Sequence, residues 1–112
     1  MIAHGTNPQN QPLETIANNG FWPDIDPNEF RDEERVHNVT PKRIKQALRA
    51  AIADVNRQLA SYQAEQQASG RADIGEVPIE PWQTPGDLQL LYLRAVYAQA
   101  QADLLERYRD AS

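Results

Sequence analysis

Six carboxylates crowd one short segment, Asp24, Asp26, Glu29, Asp32, Glu33 and Glu34, a density that could hold a hard cation or supply a general acid and base. The spacing supports neither chemistry. It follows no calcium-loop periodicity, and Asp26 and Glu29 are accounted for by helix capping in Asp26-Pro27-Asn28-Glu29. The segment therefore reads as a solvated or partner-facing charged face. The opposite charge comes next, with Lys42, Arg43, Lys45 and Arg49 in the first turns of the following helical pattern, where the macrodipole disfavours cations. Three readings of that cluster stay open: a solvated face, complementarity with the segment Asp24 to Glu34 within the chain or between neighbours, and contact with DNA phosphates.

Other reactive types are scarce. The chain has no cysteine, which removes disulfides, thiolate nucleophiles and cysteine-based zinc or iron sites together. His4 and His37 are the two histidines; His37 has no second ligand near it in sequence, and His4 falls in the N-terminal arm. Ser61 and Ser69 lack a plausible base, and no glycine pattern resembles a phosphate cradle. Trp22 and Trp82 could stack a base or ligand, but tryptophans that plug the edges of a small core are commoner. Nothing here calls for an enzyme, a metal, a cofactor or a small-molecule substrate.

The elements that carry these residues fit one domain, because 112 residues fold around a single core. Sixteen acidic against eleven basic residues give a net charge of −5, a poor balance for wrapping DNA. No run approaches the roughly 18 apolar residues that span a bilayer, and Met1 to Asn10 has no signal-peptide pattern. The expectation is a soluble protein made in a cytoplasm.

Met1 to Asn19 reads as a flexible arm, rich in amides and interrupted by Pro8 and Pro12. Within it, Leu13, Ile16 and Ala17 have the spacing of one helical turn. In Phe21-Trp22-Pro23-Asp24-Ile25-Asp26-Pro27, two large rings and Ile25 can anchor an extended chain onto this core or another subunit's. A short helix is predicted from Pro27 to Val36. A long one is predicted from Pro41 to about Ala68, because Ile44, Leu48, Ile52, Val55, Leu59 and Tyr62 recur at the α-helical period. From Ser69 to Thr84, glycines and prolines predict a loop with a helical turn near Arg71 to Ile74. The last helix runs from Pro85 to about Arg109. One of its stripes is Leu88, Leu91, Ala95, Ala98, Ala102 and Leu105; Leu90, Leu93, Tyr97, Leu104 and Tyr108 form a second. One partner helix covers one face, which leaves the second stripe for a subunit interface. No strand signal is present. The predicted fold is all-α, a small bundle with two long antiparallel helices, a short N-terminal helix and an extended N-terminal arm.

Three blocks, taken in order, are similar to a known family. They are Asn19-Gly20-Phe21-Trp22-Pro23-Asp24-Ile25-Asp26-Pro27 with Phe30-Arg31; Val39-Thr40 leading to Ala47-Leu48 and Val55-Asn56 with Leu59; and Leu91-Tyr92, Arg94-Ala95-Val96-Tyr97, Ala102-Asp103-Leu104 and Glu106-Arg107-Tyr108-Arg109-Asp110. Together they resemble the GpL head completion proteins of contractile-tailed bacteriophages over Asn19 to Asp110. The sequence departs from that pattern at His37-Asn38, where the family has Asp-Gly, and in ending two residues after Asp110. On this division, 1–19 is the arm, 20–110 the head-completion or connector domain, and 111–112 the C-terminal end.

The resemblance implies a virion protein of the phage neck, made in the host cytoplasm and joined to the portal vertex after DNA packaging. It would complete and stabilise the filled head and give the tail or the next neck protein a platform. Its implied partners are the portal protein ring, that next neck or tail-completion protein, further copies of itself in a ring of about twelve, and double-stranded DNA passing non-specifically through the channel. No membrane is implied. The residues favoured for partner contact are Phe21, Trp22, Tyr97, Leu104, Tyr108 and Arg109. The charge-complementary set is Asp24, Asp26, Glu33 and Glu34 with Lys42, Arg43, Lys45 and Arg49. The alternative is a small cytoplasmic interaction or regulatory module whose basic helix start, Lys42 to Arg49, contacts nucleic acid.

Overall fold

Two Pro-led starts set the first helices in register. The Asp26 carboxylate accepts from the Asn28 amide at 2.9 Å and opens α1, Pro27–Glu33. The Thr40 hydroxyl accepts from the Arg43 amide at 3.3 Å and opens α2, Pro41–Gln58. In both, proline fills the first helical position, where no amide bond is lost. The computed structural model describes residues 12–111, with side chains as far as Arg107. Its remaining helices are α3, Ala60–Ala68, and α4, Asp87–Ala111, with a single 3-10 turn at Ile74–Glu76. Among the described residues the extended pairing amounts to one bridge, Ile16 with Ile25, so the all-α class holds.

α1 is shorter than its sequence predicts. It ends at Glu33 because Arg35 takes a left-handed conformation, φ 52°, and the chain folds back. The Val36 amide then reaches the Arg31 carbonyl at 3.0 Å and the Arg35 amide reaches that of Asp32 at 3.4 Å, a Schellman end. The reversal drops Val36 and Val39 into the core, 7% and 3% exposed.

The predicted helix Pro41 to Ala68 is divided at Leu59, φ −99° and ψ 10°. Hydrogen bonding continues through the division, from the Leu59 amide to Val55 and from the Gln63 amide to Leu59. What stops is burial. Ile44, Ala47, Leu48, Ala51 and Val55 form the buried stripe of α2, whereas α3 has no fully buried residue and meets the core through the half-buried Tyr62. Gly70, φ 92°, then closes α3 with a second Schellman turn, the Arg71 amide bonding the Gln66 carbonyl at 3.1 Å. α4 starts at Asp87 and not at Pro85. Gly86 has φ 97°, outside helical space, and the Asp87 carboxylate accepts from both the amide and the hydroxyl of Thr84 at 2.9 Å.

α2 and α4 make the main helix contact of the chain, and α1 and the 3-10 turn flank it. The core between them holds Phe21, Ile25, Phe30, Ile44, Leu48 and Val96, each no more than 1% exposed. The expected helical turn at Leu13, Ile16 and Ala17 is not formed. That stretch is extended, paired through Ile16 and Ile25 at 2.8 and 2.9 Å, while the Asn28 side chain brackets the Leu13 amide and carbonyl at 2.9 Å each. Of the arm expected over 1–19, residues 1–11 lie outside the described residues, and Leu13 to Asn19 are bonded to the domain.

Candidate functional site

The aromatic segment lies inside the chain. Trp22 is stacked on Tyr92 with centroids 4.7 Å apart and on Tyr62 at 6.0 Å, and lies edge-to-face with Phe21 at 4.8 Å. A closed cycle of three hydrogen bonds pins the stack: Asn18 Nδ2 donates to Tyr92 Oη at 2.8 Å, Tyr92 Oη to Asn56 Oδ1 at 2.6 Å, and Asn56 Nδ2 to Asn18 Oδ1 at 3.0 Å. Burial of Tyr92 pushes its phenol above the ordinary tyrosine value. Trp22 Nε1 is buried without a hydrogen-bond partner.

Of the residues expected to face a partner, Phe21, Trp22, Tyr97 and Leu104 are buried in the chain's own core, between 1% and 5% exposed. The reason is that α1 and α2 cover the side of α4 that carries Tyr97 and Leu104. Tyr97 Oη donates to Glu29 Oε1 at 2.6 Å, and its ring meets the edge of Phe30 at 5.5 Å. The side chains of Tyr108 and Arg109 lie outside the described ones.

The stripe left to solvent is the other one. Leu91 is 53% and Leu105 54% exposed, Ala95, Ala98 and Ala102 are exposed, and Leu88 is half-buried. Its 3-4 alternation is the spacing of a helix-packing seam. The N-terminal end of the seam opens into an apolar groove of about 330 Å³ lined also by Trp22, Leu59, Tyr62 and Tyr92. Leu90, on the flank nearer α1, is 57% exposed, and Trp82 in the preceding loop is 77% exposed.

Around the α1–α4 crevice the charge is negative. Glu29, Glu33 and Glu34 line a groove of about 280 Å³ with Leu90, Leu93, Arg94 and Tyr97. The Tyr97 phenol is held far above its ordinary value, chiefly by burial and by its bond to Glu29, with the charges of Glu29, Asp26 and Glu33 adding to it. Asp26 is used as a cap, and Asp24 accepts from the Asn18 amide at 2.8 Å. Lys42, Arg43 and Arg49 are exposed and Lys45 is half-buried. Among the described residues no ion pair joins the acidic set to the basic one. The pairs Arg57–Asp54 and Arg107–Asp103 lie elsewhere, along α2 and α4.

Among the described residues no three metal-ligating side chains group closely enough to hold an ion, and no helix is long and apolar enough to cross a membrane. The described surface carries an apolar seam, an acid-rimmed groove and, at the start of α2, basic side chains without an ion pair among the described residues. Sequence reasoning gave the side chains of Asn18 and Asn56 no role because isolated amides carry no pattern. Asn56, polar beside the buried Val55 of α2, is the one that could have been noticed.

Comparison with known proteins supplies the context. The family model described as phage head completion protein (GPL) matches residues 16–112. A head completion/stabilization protein of Escherichia phage P2 is 37% identical over 100 residues, covering 87% of this chain and 59% of the relative. A probable head completion/stabilization protein of Haemophilus phage HP1 is 33% identical over 98 residues, covering 87% of this chain and 65% of the relative. The chain thus spans about three-fifths of the length of the curated relatives it matches. No solved structure matches it. With the match running from Ile16 through the caps, the buried aromatic segment and α4, the chain belongs to the phage head completion protein family.

Proposed function

We propose that this chain is a structural protein of the phage neck. It docks as a ring of about twelve copies on the portal vertex after packaging, stabilises the filled head and presents the surface on which the next neck protein or the tail seats. In this reading α2 and α4 run antiparallel, which agrees with Asp54 bonding Gln99 while Asn56 bonds Tyr92. The observation that carries the reading is the match over residues 16–112 to a head completion family. The surface supports it. Apolar and charged faces stand side by side on α4 and α1, and such faces mark association. A net charge of −5 suits a lining past which packaged DNA slides without adhering.

The test is to add the purified protein to DNA-filled heads that lack it. DNA in the completed heads is expected to resist nuclease and the heads to accept tails. Light scattering of the protein mixed with portal rings is expected to give about twelve copies per ring. A protein that leaves the DNA open to nuclease and stays apart from the portal would overturn the reading. Salt-sensitive DNA binding through Lys42, Arg43, Lys45 and Arg49 would then favour a regulatory module.

A further inference from the structure

Resting on the ring reading, we infer that neighbouring copies join head to tail, the basic start of α2 on one copy lying in the acid-rimmed groove between α1 and α4 of the next.

Three observations lead to this occupant. Among the described residues the groove has an apolar floor without a cover, since Leu90 on the α1 side of α4 is 57% exposed, and its rim sets Glu29, Glu33 and Glu34 against one cation, Arg94. A partner that fits it carries cations on long aliphatic stems, which cover apolar surface while their heads reach carboxylates. The start of α2 has that composition. Lys42, Arg43 and Arg49 project into solvent and have no ion pair with the acidic set among the described residues, although Lys42 and Arg43 stand in the first turn of a helix whose dipole repels them. Carboxylates from a second copy would offset that repulsion; those of the described residues do not reach.

The two surfaces differ, so the contact is heterologous. A heterologous contact repeated around an axis closes into a ring or runs on as a filament, and it does not stop at a pair. A platform on a cyclic vertex needs this kind of contact. Charge also sets register, because a displaced neighbour would bring like charges together.

The experiment is a charge exchange. One variant carries Glu33→Lys with Glu34→Lys, the other Lys42→Glu with Arg43→Glu; circular dichroism checks that each folds. Each alone is expected to be retained on filled heads at about one-tenth of the wild-type number of copies. The two mixed in equal amounts are expected to recover the wild-type number, since every junction between unlike copies is again complementary. Retention of either variant alone at the wild-type level, or a mixture no better than its parts, overturns the inference while leaving the ring reading standing. If wild-type protein is not retained on heads at all, the ring reading fails, and the inference is settled separately. Carbodiimide coupling in a sample mixed from two isotopic forms must then join Lys42 or Lys45 of one copy to Glu33 or Glu34 of another, and absence of that cross-link overturns it.

Discussion

Tyr92 sits where three stretches of chain meet, and its hydroxyl is both donor and acceptor in the cycle with Asn18 and Asn56. Tyr92→Phe keeps the stack on Trp22 but leaves an amide nitrogen and an amide oxygen short of a partner. A loss of about 1–3 kcal/mol in urea unfolding is expected. Arg35 offers the reverse case. Its φ of 52° is costly for a residue with a β-carbon, so Arg35→Gly is expected to gain roughly 1 kcal/mol in the same measurement. Tyr97 gives a pH signature. Its phenol is raised in the folded chain, so the folded state keeps a proton that the unfolded state gives up above about pH 10. Stability is accordingly whole below that pH and falls as pH rises past it. Tyr97→Phe is expected to flatten much of this alkaline fall in the urea midpoint. None of the three roles shows in residue types alone, because a tyrosine on an apolar helix reads as core whether or not its hydroxyl is used.

The helices were legible to different depths, and α4 shows why. Asp26-Pro27 and Thr40-Pro41 mark their starts because the cap is a local interaction between near neighbours. Which side of α4 is buried is a tertiary matter. Two apolar stripes compete on that helix, and hydrophobicity cannot rank them; the deciding side chains are Tyr92, Val96 and Ala100, 3%, 0% and 0% exposed, which belong to neither stripe. Tyr97 and Leu104, expected at an interface, fall on the buried side with them. The assignment can be checked by truncation. Val96→Ala is expected to cost about 1–3 kcal/mol, while Leu91→Ala and Leu105→Ala stay within about 0.5 kcal/mol in the same assay. The division at Leu59 was hidden for a related reason. The apolar period runs on to Tyr62, yet burial on α2 stops at Val55, and periodicity reports what a helix could bury, not what meets it.

At the scale of the molecule, the arm and the domain are less separate than composition suggests. Leu13 and Ile16 pair with Asn28 and Ile25, and Asn18 reaches α2 and α4. Removing residues 1–19 is therefore expected to lower the thermal midpoint of the whole domain, where a free tail could be cut without effect. Amide-rich sequence reads as an arm because its hydrogen bonds go to partners remote in the chain, such as Tyr92, 74 positions from Asn18. The two tryptophans, finally, divide the chain's fluorescence between inside and outside. Trp22, stacked with tyrosine rings at 5% exposure, and Trp82, at 77%, emit from opposite environments, so a colour change on unfolding belongs to the first. Emission that moves to shorter wavelength with the fold intact belongs to the second, and makes Trp82 a built-in dye for whatever comes to rest on the loop before α4.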